Sequence, residues 1–312
     1  MKANDFFNAL GMKDIINNKS KLNKMLRLST FAPDFVFEDK RNSQGQIFFT
    51  RYKFIGKGFG VWVGGRRHTQ TDEEGKETEK YVVMDWGLFA NGAKDVDISG
   101  LYVDTSDSGN FFCFACNVDS GNYFEFFINN PLELISNYRK MDNYDKVLDF
   151  ENNISKANFA MLMAFATILL PIKKELRASR ETGDKQRETD LRLRAISGDL
   201  EAELELCSIY DEQQADLRER LLKEDMFSVL ESFFLNLDEQ TGIFSVLAEI
   251  LDFKEIINEV SKEKIIRLDT NITGINISMY VNEKEINGIP SVGMRIMGIG
   301  ILQGFIRTSS AK

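Results

Sequence analysis

Between Phe35 and Ile128, short runs rich in Phe, Tyr, Val and Trp alternate with polar breaks carrying Gly, Asn, Asp and Ser. The runs are QIFFTRYKFIG, GFGVWVGG, KYVVMDWGLFA, NFFCFAC and NYFEFFI; the breaks are RNSQGQ, GKG, TDEEGKE, TSDSGN and VDSGN. Aromatic and β-branched side chains suit a pleated, half-buried surface, and the break residues supply tight turns, so the pattern predicts antiparallel hairpins. The clearest spans Phe111 to Ile128, with its turn at Asp119 to Asn122. Before this region, Phe6, Phe7, Leu10, Leu22, Met25 and Leu26 recur at helical spacing, with Ser20 as an N-cap and Pro33 as the stop. After it, Pro131 stands at a helix start and LELISNYRK continues at helical spacing. Residues 1–150 are therefore expected to form one α+β domain, a mixed antiparallel sheet with helices.

The second half is expected to change character twice. Residues 151–225 read as a helical segment with a charged connector. Its first part, Phe159 to Ile172, is the most apolar stretch of the chain and reads as a buried core helix. At about 14 residues it is shorter than the roughly 20 that a helix needs to cross a bilayer. Next, RASRETGDKQRETDLRLRA mixes both charges with little apolar periodicity, and Gly183 with Asp184 is its weak point. Gly198 and Asp199 mark a break before LEAELELCSIYDEQQADLRERLLKED. The basic stretch from Lys173 to Arg194 and the acidic one from Asp199 to Asp216 suit an antiparallel helical pair. From residue 226 to 312 the period returns to two. FSVLESFFLN, GIFSVLAEILDFKEII, KIIRLDTNIT, INISMYVN and MRIMGIGILQGFI read as five strands, the expected content of a small OB-like or SH3-like β-barrel. The fold class expected is α+β.

Composition narrows the functional classes. The 312 residues carry 39 Lys plus Arg against 48 Asp plus Glu, a net charge of −9, which disfavours duplex DNA as a partner. Three cysteines leave an odd count and no disulfide framework, and the N-terminus lacks an apolar signal region. A cytoplasmic location and no membrane association are expected. His68 is the single histidine, so multi-His metal sites and relays between imidazoles are excluded.

The candidate chemistry is sparse. Cys113 and Cys116 form a CxxC, but within a strand, where residues three apart face opposite ways, and no second ligand pair exists for zinc. GKGFG precedes a strand rather than a helix, which makes it a hairpin turn and not a phosphate loop. No cofactor and no metal are expected. GGRRHT is the densest polar cluster. If a ligand site lies in the N-terminal half, Arg66 and Arg67 would bind phosphate or carboxylate, His68 would act as acid or base, and Trp62 would join them. Asp85 beside Trp86, and Asp95 with Asp97, are the acidic candidates. On the terminal strands, Arg267, Arg295 and Arg307 are the cations that single-stranded nucleic acid would need at a barrel surface.

Four segments carry a resemblance: LLPIKK, RLRAISGDLEAELEL, LKEDMFSVLESFF and VNEKEINGIPSVGMRIMGIGILQG. They are similar to an uncharacterised domain-of-unknown-function family of Clostridia and related Gram-positive bacteria, along nearly the whole chain. The chain keeps that family's Gly293, Arg295, Gly298, Leu302, Gln303 and Gly304 and departs at Met294, Ile296, Met297 and Ile301. The resemblance implies a bacterial cytosolic protein and no particular reaction.

The expected function is that of a non-enzymatic binding or scaffolding protein, with a protein partner or self-association through the middle helices or terminal sheet edges. The alternatives are a small-ligand or nucleotide-handling enzyme at Arg66, Arg67 and His68, and single-stranded nucleic-acid binding by the terminal strands.

Overall fold

A computed structural model describes residues 6–40, 47–71, 75, 77–104, 112–117, 123–139, 155–171, 182–223, 230–238, 242–272 and 274–307. The chain opens with a 3-10 turn (Asn8–Leu10) and helices α1 (Lys13–Ile16) and α2 (Lys19–Phe31). Asn18, rather than Ser20, caps α2: its side chain accepts hydrogen bonds from the amides of Ser20 and Lys21 at 3.1 Å. A four-stranded antiparallel sheet follows in chain order: β1 (Phe35–Lys40), β2 (Ile47–Gly56), β3 (Phe59–Thr71) and β4 (Glu77–Ala90). Lys57 and Gly58 join β2 to β3, so GKGFG is the hairpin turn its sequence predicts.

A ten-stranded sheet holds the rest. Its strands are β5 (Asp95–Asp104), β6 (Phe112–Asn117), β7 (Tyr123–Ile128), β8 (Ser155–Leu169), β9 (Phe233–Asp238), β10 (Ile243–Ile257), β11 (Lys264–Ile272), β12 (Ile275–Asn282), β13 (Ile286–Asn287) and β14 (Arg295–Arg307). Cys113 and Cys116 lie on β6, opposite Phe126 and Tyr123 of β7; the turn between these strands lies outside the described residues. Helix α3 (Pro131–Arg139) begins at Pro131, as its sequence predicts. Helices α4 (Thr182–Ile196) and α5 (Leu200–Leu221) form an antiparallel pair. No helix among the described residues is long and apolar enough to cross a membrane.

The expected core helix at Phe159 to Ile172 is a strand. β8 pairs antiparallel with β14 from Lys156 to Leu169, and Ala157 through Ala164 are all buried. It separates two cores: Phe159, Met161 and Met163 join one, and Ala160 and Leu162 the other. A strand buried on both faces loses the polar alternation that marks strands, and its sequence then reads like a buried helix.

This strand also reorganises the C-terminal set. β9 sits at the end of the sheet path and pairs with β10. The pairings β10–β11, β11–β12, β12–β8, β8–β14 and β14–β10 all occur, so the path of neighbours returns to β10. The pairings β8–β5, β5–β6, β6–β7, β7–β14 and β14–β8 return in the same way. The long β8–β14 pair belongs to both circuits. Gly298 permits the close approach of the two strands, because a Cβ there would stand 2.3 Å from the Phe165 carbonyl oxygen. Each of the three stretches read from the sequence as separate units contributes strands to this one sheet.

The first sheet and the N-terminal helices pack onto the outer face of β8 and β12. Leu10, Met12, Met25, Ile55, Phe59 and Val61 share a core with Leu162 and Tyr280. Buried Asn258 donates to the Leu10 carbonyl at 2.6 Å, tying the first turn to the end of β10. Burial, with a further push from Asp269 against the opposing pull of Arg267, raises the Tyr280 phenol to about 12. Its hydroxyl donates to the Asn91 carbonyl at 2.8 Å.

Candidate functional site: an aromatic cleft and an exposed helical hairpin

The Trp62, Arg66, Arg67 and His68 set lies along β3. Side chains alternate across a strand, so Arg67 faces with buried Val61 and Val63, while Trp62, Arg66 and His68 face the other way. An extended strand also holds Trp62 and His68 about 20 Å apart. Trp62 stacks its indole over the backbone of Gly87, where a Cβ would stand 2.6 Å from Nε1. Arg67 is occupied by its own neighbours. Its Nε and Nη2 donate to both Glu38 oxygens at 2.9 and 2.8 Å, and its Nη1 reaches Glu79. Hydrogen bonding by Arg67 lowers the Glu38 carboxyl below its usual range. Arg51 extends the network to Tyr81 and the Thr30 carbonyl, with its guanidinium 4.4 Å from the Tyr81 ring centre. The arrangement clamps β1, β2, β3, β4 and α2 together.

The three arginines of the terminal strands do not form a basic surface. Arg295 is buried, at 6 % exposure, and donates to the Leu170 and Leu230 carbonyls at 3.0 Å. Arg267 pairs with Asp269 at 2.9 Å and lies 5.9 Å from the Tyr280 ring centre. Arg307 is exposed and pairs with Asp95 at 2.9 Å. This corrects the expectation of a shared cationic face: Arg295 is buried against backbone carbonyls, and Arg267 and Arg307 are each paired with an aspartate. Among the acidic candidates, Asp95 serves Arg307 and Asn158, Asp97 stands opposite Lys156 in the β5–β8 pairing, and burial raises the Asp85 carboxyl.

A cleft of about 550 Å³ opens where the first sheet meets the ends of β8 and β14 and the start of α3. Its wall is aromatic, with Phe35 from β1, Tyr52 and Phe54 from β2, Phe89 from β4 and Phe305 from β14. The rings interlock: Tyr52–Phe89, Phe54–Phe89 and Phe89–Phe305 meet edge to face at 5.5, 5.2 and 5.8 Å. Phe35 and Phe54 remain 56 % and 37 % exposed. Two of the side-chain amides lining the cleft, Asn130 and Asn158, are already engaged. Asn130 bonds the backbone N–H and C=O of Ile306, at 3.0 and 2.8 Å. Asn158 accepts from the Gly92 amide at 2.5 Å, a close approach that glycine permits because a Cβ at 92 would stand 2.3 Å from the Phe159 carbonyl oxygen. Tyr52 donates to the Asn129 carbonyl at 2.8 Å, and burial, with the nearby Glu133 charge, raises its pKa well above the usual range. Glu133, in the first turn of α3, accepts one hydrogen bond, from Asn130 at 3.2 Å. Sequence reading missed these residues because they come from six separate segments with no motif.

The α4–α5 pair is the second exposed feature. Gly198, at φ +90°, ends α4, and Asp199 starts α5 by accepting from the Glu201 and Ala202 amides at 3.1 and 3.2 Å. Leu191, Ala202 and Leu206 form its small core, flanked by Ala195, Ile209 and Tyr210. Arg187–Glu205, Gln213–Glu188 and Arg192–Tyr210 link the helices. Leu193, Ile196, Leu200 and Leu204 are left outside, at 41, 51, 71 and 71 % exposure, with Cys207 exposed and free.

The fold defines a mixed α/β protein built around a largely antiparallel sheet. A family model described as "Domain of unknown function, E. rectale Gene description (DUF3881)" matches residues 7–304, and the chain belongs to that family. No curated protein and no solved structure matches it.

Proposed function

We propose that this is a non-enzymatic binding or scaffolding protein that self-associates through the outer face of the α4–α5 hairpin. One observation carries the reading: the hairpin satisfies its own core and still exposes four large aliphatic side chains around its tip. Leu193 and Ile196 are three apart on α4, and Leu200 and Leu204 four apart on α5, so each pair shares a helix face. An exposed apolar patch of this kind marks an interaction surface. Charge argues for a second copy as the occupant. Arg187 and Arg194 are exposed on α4, where Glu205 and Asp199 pair with them, and Glu201 and Glu203 are exposed on α5 without an ion-pair partner among the described residues. A two-fold arrangement sets α4 of one copy against α5 of the other, so that the exposed Glu201 and Glu203 of one copy face the basic rim of the other around the leucines. A cytoplasmic setting suits the free, exposed Cys207. The first closed path of pairings is taken as the small barrel expected from the sequence, with β8 in the place assigned to β9.

Sedimentation velocity across the micromolar range tests the proposal. A concentration-dependent dimer is expected, and the double variant Leu200→Glu, Leu204→Glu shifts it to monomer while far-UV circular dichroism is unchanged. A wild-type protein that remains monomeric at high micromolar concentration overturns self-association.

A further inference from the structure

We infer that the aromatic cleft binds a small organic cation, an amine or quaternary ammonium with an apolar body. Its volume of about 550 Å³ falls within the range of small-molecule sites rather than macromolecular grooves. Its wall offers aromatic rings, whose quadrupoles attract cations, and it keeps Phe35 and Phe54 substantially exposed in the free protein. The charges in the cleft decide the sign of the ligand. Arg307 is matched by Asp95. Glu133 has no ion-pair partner among the described residues and accepts one hydrogen bond, from the neutral amide of Asn130. Asn130 and Asn158 are held by backbone groups, which leaves the Glu133 carboxylate as the charged lining group without an ion-pair partner among the described residues. A bound anion would face that carboxylate uncompensated, and a neutral aromatic ligand would leave it unpaired. A cation satisfies both the carboxylate and the rings. This site is separate from the α4–α5 surface, and neither proposal depends on the other.

Isothermal titration of the full-length chain with choline, phenethylamine and 3,3-dimethylbutan-1-ol, the uncharged isostere of choline, tests the inference. Saturable one-site binding of at least one cation is expected, about tenfold or more tighter than that of the isostere. Glu133→Gln removes the preference for charge. Phe54→Ala, at a half-exposed position, weakens cation binding by about tenfold. Asp14→Asn, which makes the same charge change at an exposed site elsewhere, leaves binding unaltered. Absence of binding by both cations overturns the inference. So does equal affinity for the isostere, undiminished binding in Phe54→Ala, or undiminished binding in a Glu133→Gln variant that melts like the wild type.

Discussion

Glu38 and Arg67 stand on β1 and β3 with β2 between them, and their two hydrogen bonds span the sheet. Because Arg67 lowers the Glu38 carboxyl below the ordinary carboxylate value of about 4.5, the folded state binds the proton less tightly than the unfolded one. The resulting stabilisation is fully present above about pH 4.5 and is lost as pH falls through the lower folded-state value. Glu38→Gln is therefore expected to destabilise the protein by about 1 kcal/mol at neutral pH, a charge-assisted bond discounted for partial exposure. Urea denaturation from pH 7 downward should show wild type and variant converging in acid; a gap that stays constant would refute the assignment. The sequence singled out Arg67 for its charge and its neighbours. It could not reveal that the carboxylates able to occupy it stand 29 positions before it and 12 after.

At the scale of elements, local signals served well where local forces decide. The Gly198–Asp199 break is a glycine in the left-handed region followed by a side-chain cap, both fixed by residues adjacent in sequence. Asp199→Ala is expected to speed amide exchange across Leu200 to Leu206 without altering exchange in β8 or β14, as hydrogen–deuterium exchange would read out. Unchanged protection at the start of α5 would show that the cap contributes little there. The hairpins of the first sheet were legible for the same reason, since turn chemistry and alternation lie within a dozen residues. β8 was not. Its run of buried residues records contact with two cores at once, and nothing within the run distinguishes that from a helix buried on all sides.

For the whole molecule, β8 explains why the chain behaves as a connected structure. It pairs with β14 along nearly its full length and meets β12, β13 and β5 on its other edge. The C-terminal strands thus depend on a segment more than 120 positions before β14. A fragment of residues 226–312 lacks β8 and leaves the inner edges of β12 and β14 unpaired. It is expected to show no native near-UV circular dichroism and no cooperative melt; a cooperative transition would mean that β9 can replace β8. The sequence by itself determined the strand-rich character, the hairpin turns, the helical pair with its break, and the family, because these rest on short-range propensity, turn chemistry and residue pattern. Only the tertiary structure decided that β8 is a strand, that Arg295 is buried, and that five aromatic rings and Glu133 converge on one cleft. Those outcomes follow from which distant strands share hydrogen bonds, and pairing energy of that kind is not encoded in any local window.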